Sequence, residues 1–139
     1  MNVALHDTYV AALQHDLVDL PAGTRLVGVV RRPTRWFAGA VDENRPALGP
    51  PEDLLDDVKQ AEEDLKIAGL CDEEAHNAAW DQVDFADRYR EHLGSAPAAA
   101  EAVDDLRTAL NGGEDVALVC YENTAKKRCH RTILREELE

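Results

Sequence analysis

The run Val116-Ala117-Leu118-Val119-Cys120-Tyr121 decides the fold. It is apolar throughout and follows the turn-forming Asn111-Gly112-Gly113. A short, continuous apolar run bounded by a turn reads as a strand buried on both faces. Strands of that kind belong to parallel sheets with helices covering each side.

Working outward, Leu26-Val27-Gly28-Val29-Val30 has the same character between Gly23 and Pro33. Between the two strands the spacing predicts helices. One opens at Pro51, aligns Leu54, Leu55, Val58, Ala61 and Leu65, and ends near Gly69. Others run over 72–80, capped by Asp72, and over 84–93, stopped by Gly94. Ser95 and Pro97 open a further helix that reaches Leu110. A final helix over 131–138 turns Ile133, Leu134 and Leu138 inward.

Nearer the start, Val10, Leu13, Leu17 and Leu20 stand at helical spacing, with Asp7 or Thr8 as cap, so 9–20 reads as helix. Residues 33–51, rich in Pro, Gly and Arg, read as a long loop. The pattern predicts one domain over 1–139. Its class is α/β: three layers, Rossmann-like, with a mainly parallel sheet flanked by helices.

Charge narrows the partners. The chain carries 28 acidic and 15 basic residues, a formal net charge of -13. Such a chain repels nucleic-acid phosphates and anionic lipid, so generic binding to either is not expected. Only Lys59, Lys66, Lys126 and Lys127 are lysines, a balance like that of proteins from salt-loving microbes. In molar salt the Debye length falls to about 3 Å and carboxylate repulsion is screened. No apolar run spans a membrane, and Met1-Asn2-Val3-Ala4-Leu5-His6-Asp7 is unlike a signal peptide, so a cytoplasmic location is expected. The three cysteines, Cys71, Cys120 and Cys129, are an odd number and argue against a disulfide framework.

Ligands of parallel sheets gather beyond the carboxyl ends of the strands. Arg31 and Arg32 follow the first strong strand; Cys120 and Glu122 end the second. A few residues on, Cys129-His130-Arg131 heads the last helix. The Cys-x-Glu followed by Cys-His-Arg-Thr resembles the C-terminal signature of the domain of unknown function 488 family. Leu26 to Phe37, with Arg31, Arg32 and Pro33, resembles that family's Val-Asp-Val-Arg…Pro element. Phe85-Ala86-Asp87-Arg88-Tyr89-Arg90-Glu91-His92-Leu93 is similar to its helix before the last strand. The sequence departs from the family at Gly28, where an Asp is usual. It also departs at its start, which reads as a helix where the family has an N-terminal strand bearing a His. The resemblance implies the fold and the site, and it names no reaction.

The residues themselves allow three uses. A helix N-terminus presents unpaired N–H groups and a partial positive charge, so it suits an anion. Arg131, with Arg31 or Arg32 opposite, would add donors, and Glu122 would act as general base or orient His130. The same positive end would depress the Cys129 thiol and make it a nucleophile. That describes a hydrolase or transferase acting on an anionic small molecule, nucleotides among them, with no cofactor. The alternatives are a non-catalytic ligand-binding or regulatory module, and a thiol redox sensor through Cys120 and Cys129. Metal ligation by Cys129, His130 and Cys120, or by Cys71 with His76, lacks the usual zinc spacing, so no metal is assigned. Against all of these stands a structural role, with Cys120 as a small apolar residue and Arg131 bridged to Glu122, Glu136 or Glu137.

Overall fold

The computed structural model describes residues 4–122 and 127–139. Lys126, and the first three residues of the stretch weighed as a signal peptide, lie outside them. The strands are β1 (Leu5–Tyr9), β2 (Arg25–Gly28), β3 (Glu43–Asn44) and β4 (Val116–Cys120). All pair in parallel, in the order β1-β4-β2-β3. The helices are α1 (Val10–Gln14), α2 (Arg35–Ala40), α3 (Glu52–Ile67), α4 (Asp72–Gln82), α5 (Phe85–Ser95), α6 (Pro97–Asn111) and α7 (His130–Leu138). A 3-10 turn, Pro46–Leu48, precedes α3. The predicted α/β, Rossmann-like sheet flanked by helices is the architecture observed.

β4 occupies the position its composition demands. All five of its residues are buried, because it pairs with β1 on one side and β2 on the other and helices cover it. α6 and α7 pack on it, directing Val103, Leu106, Leu110, Ile133 and Leu134 into the core. α3 buries Leu54, Val58 and Ala61, a stripe at i, i+4 and i+7, and packs along α4. Gly69 and Gly113, with φ of +107° and +85°, adopt the left-handed turn that follows α3 and α6.

Three expectations are corrected. Residues 5–9 form β1, in register with β4 from Leu5 opposite Val116 to Tyr9 opposite Cys120. The N-terminal strand is therefore present, and the helix expected over 9–20 shortens to α1. Leu17 is 69% exposed, so the helical spacing of Leu13, Leu17 and Leu20 did not mark a buried face. Finally, residues 33–51 are not a structureless loop: they carry α2, β3 and the 3-10 turn. Thr34 caps α2 by accepting from the Phe37 N–H. Among the described residues no helix is long and apolar enough to cross a membrane.

Candidate functional site

β2 and β4 lie side by side, and their carboxyl ends open into a cavity of about 240 Å3. Cys120, Cys129 and His130 line it, together with Arg31, Arg32 and Glu122. Of the seven residues singled out in the sequence, only Arg131 does not line it.

Arg131 is turned the other way because successive helical residues diverge by about 100°. His130 faces the cavity, whereas Arg131 runs beneath the strand ends and is only 2% exposed. There its Nη1 donates to the Thr8 carbonyl, and its Nε forms an ion pair with Asp7 Oδ2 at 3.0 Å. The same Nη1 lies 3.3 Å from Cys120 Sγ. Arg135, one turn on, pairs with the other Asp7 oxygen. Asp7 on β1, the strand that the sequence did not reveal, is thus an ion-pair partner of Arg131.

The two thiols meet at the cavity floor. Cys120 Sγ and Cys129 Sγ are 2.8 Å apart, both side chains are buried, and neither is in a disulfide. Burial pushes the Cys120 thiol up, but the hydrogen bond from Cys129 and the Arg131 charge outweigh it, and the net direction is down. Burial, and then the Cys120 sulfur, hold Cys129 well above an ordinary thiol. Of the two, Cys120 rather than the helix-head Cys129 is the thiol favoured to ionise first. Those directions make Cys129 the donor in the contact between the two sulfurs.

His130 is oriented by backbone. Its Nε2 donates to the Val29 carbonyl at the end of β2, which leaves the Nδ1 lone pair 3.7 Å from Cys129 Sγ. Burial, reinforced by the Arg131 charge, holds this imidazole at about 4, so it is neutral at physiological pH. Tyr89 meets the ring edge-on at 5.4 Å and donates its hydroxyl to the Leu48 carbonyl.

The cavity lining holds more basic than acidic side chains, although Arg128 is paired with Asp81 outside it. Four cations, Arg31, Arg32, Lys59 and Arg128, line the cavity against two carboxylates, Glu62 and Glu122. Arg31 donates to the carbonyls of Gly49 and Pro50, and Arg32 pairs with Glu52 and Asp56 on α3. Trp80 and Phe85, stacked at 3.9 Å, form an apolar wall.

Several of these residues escaped the sequence reading. Lys59 and Glu62 sit on the polar side of α3, where nothing in the spacing distinguishes them from other solvated charges. Tyr121 also lines the cavity, and its hydroxyl accepts the Thr34 N–H at 2.8 Å, tying the end of β4 to α2. α4 grips the segment before Cys129: His76 donates to the Arg128 carbonyl at 2.7 Å, and the Arg128 N–H donates to Asn77 at 3.0 Å. Lys127 adds an ion pair with Asp72, whose carboxyl it and Lys66 hold at about 2. Cys71 instead donates to Glu74, so Cys71 and His76 serve separate contacts. Among the described residues no group of three or more His, Cys, Asp or Glu side chains is arranged to hold a metal ion.

Fold and site together define a small α/β domain with a thiol-floored, cation-rimmed cavity at the strand ends of a parallel sheet. The family model described as the Active DUF488-N3 subclade matches residues 9–139. The chain belongs to the domain of unknown function 488 family. No curated protein and no solved structure matches it.

Proposed function

We propose that this chain is a thiol enzyme, a hydrolase or group transferase whose substrate is a small anionic molecule seated in the strand-end cavity. One observation carries the reading: Cys120 Sγ lies between the Cys129 thiol at 2.8 Å and the Arg131 guanidinium at 3.3 Å, on the cavity floor. A donor and a fixed positive charge on one sulfur stabilise a thiolate, the nucleophilic form. The description of the matched subclade as active agrees with this.

Arg31, Arg32 and Lys59 receive the anionic group, which explains a basic rim in a chain of net charge -13. The Trp80–Phe85 wall takes an apolar or planar part, as in a nucleotide-like substrate. The volume lies below the roughly 300–1,000 Å3 of drug-sized sites, so the ligand is small. The Cys120 thiolate attacks an electrophilic centre and expels its leaving group. Water deprotonated by Glu122 then cleaves the adduct and returns the thiolate. Arg131 acts on Cys120 rather than on the substrate.

The test uses a Cys71→Ser background, which removes the exposed thiol. Nucleotides, sugar phosphates and small carboxylic acids are screened by thermal shift, and Cys120 alkylation by iodoacetate is compared with that by iodoacetamide. An anionic compound should raise Tm by several degrees, and an Arg32→Gln, Lys59→Gln double variant should lose that shift. Anionic iodoacetate should label Cys120 faster relative to neutral iodoacetamide than it labels a free thiol. No stabilising compound together with no preference for iodoacetate would overturn the reading.

A further inference from the structure

We infer that Cys120 and Cys129 form a reversible disulfide when a small hydroperoxide enters the cavity, a second chemistry at the floor that withdraws the nucleophile. The inference shares the Cys120 thiolate with the function proposed above and extends it to an oxidant as reactant. Its basis is geometric. The sulfurs come from different elements, the end of β4 and the residue capping α7, yet stand 2.8 Å apart. They need to close by less than about 1 Å to reach the ~2.05 Å of a bond. Both line the cavity, so a molecule of two or three heavy atoms reaches them although neither is on the outer surface.

Each reacting group has a neighbour suited to its part. The Cys120 thiolate attacks one oxygen of the hydroperoxide and the O–O bond breaks. Cys120 becomes a sulfenic acid, and the departing alkoxide or hydroxide takes a proton from solvent. Arg131, 3.3 Å from the attacking sulfur, stabilises the thiolate before the step. Cys129 then attacks the sulfenic sulfur, the S–O bond breaks, and the hydroxyl leaves as water with the Cys129 proton. His130 Nδ1, 3.7 Å from Cys129 Sγ and holding a lone pair, lies where that proton departs. Two electrons pass from the two sulfurs to the peroxide. A low-molecular-weight thiol, attacking through a mixed disulfide, restores both thiols and is itself oxidised.

Packing alone gives a weaker account of the pair. Buried cysteines acting as small apolar residues need neither a guanidinium on one sulfur nor an imidazole lone pair facing the other. The remaining cysteine, Cys71, is exposed, bonds to Glu74, and serves as an internal contrast.

The experiment treats the Cys71→Ser chain with hydrogen peroxide and measures intact mass and free thiols without reductant. The expected product has lost two hydrogens and both alkylatable thiols, and glutathione restores them. In a Cys129→Ser variant the oxidation should stop at Cys120, where dimedone traps the sulfenic acid. Both thiols remaining free after peroxide would overturn the inference, as would Cys120 advancing to the sulfinic acid with Cys129 still reduced. The mass readout needs no ligand, so the two proposals fail separately. A disulfide without any anion binding sinks the enzyme reading alone, and anion binding without a disulfide sinks only this one.

Discussion

Asp7 Oδ2 stands 3.0 Å from Arg131 Nε, so the edge strand β1 supplies a counter-charge for the guanidinium that faces the cavity thiol. Asp7 also pairs with Arg135 and so ties β1 to two turns of α7. Replacing it by Asn keeps the volume and removes the charge. Breaking a fully buried pair costs about 3–5 kcal/mol. Asp7 is about one-fifth exposed, which screens part of that. Asp7→Asn is expected to lower unfolding stability by roughly 2–3 kcal/mol, measured by urea denaturation. A change within about 0.5 kcal/mol, the range of ordinary surface substitutions, would mean the pair carries no weight.

The order in which the thiols ionise is a second expected outcome. Cys120 is held below an ordinary thiol partly by the Cys129 S–H and partly by Arg131. Cys129→Ala removes the first and Arg131→Met the second. Each is expected to raise the Cys120 midpoint, and alkylation at neutral pH should slow several-fold. Thiolate ultraviolet absorbance across a pH titration reads this directly. An early-titrating thiol that persists in Cys71→Ser, Cys120→Ser protein would assign the thiolate to Cys129 and reverse the roles.

These outcomes depend on parts of the structure that differed in how legible they were. β2 and β4 were readable because burial on both faces leaves an unbroken apolar run, and α3 was readable from its stripe. β1 was not. As an edge strand it carries His6, Asp7 and Thr8, polar residues that are satisfied by distant partners such as Asp115 and Arg131. β3 is two residues long and leaves no pattern. At the site, the residue types and the strand-end position were legible in Cys120, Cys129 and His130. The direction of Arg131 was not, because its counter-ion lies more than a hundred residues away on an unseen strand. Nor did the sequence explain Gly28, where the resemblance led one to expect an Asp.

Gly28 yields the third prediction. A Cβ there would stand 2.5 Å from Asn44 Oδ1 and 2.6 Å from Phe37 Cε1. Asn44 fills that space in order to clamp Val30, accepting from its N–H at 3.2 Å and donating to its carbonyl at 3.0 Å. Gly28→Ala would displace Asn44, free the end of β2, and disturb the placement of Arg31 and Arg32. Overpacking of this kind costs about 1–3 kcal/mol. Gly39→Ala on α2 meets nothing within 4 Å and serves as the control, with no loss expected. Equal effects of the two substitutions on thermal unfolding would mean that Asn44 does not need the space.

The last prediction concerns acid, and its sign follows from His130. In the folded chain burial holds the imidazole at about 4, whereas an unfolded chain protonates it near 6.5. Above 6.5 neither state binds the proton and His130 contributes no pH dependence. Between 6.5 and 4 only the unfolded state takes it up, so stability falls as pH falls. The slope approaches about 1.4 kcal/mol per pH unit, and the loss across the window is roughly 3 kcal/mol. Tyr89 and Cys129, which meet the ring, are both pushed well up by burial and keep their protons across this window. Asp72, held at about 2 by Lys127 and Lys66, weakens the fold only below its ordinary 3.8, a separate and more acid window. His130→Gln keeps a donor within reach of the Val29 carbonyl and removes the titrating group. Urea denaturation at a series of pH values from 7 down to 4 should show a steep loss in the parent chain and a flatter profile in the variant. Because the comparison rests on the slopes, it survives any uniform loss of stability in the variant. Parallel slopes would show that a residue other than His130 governs acid stability.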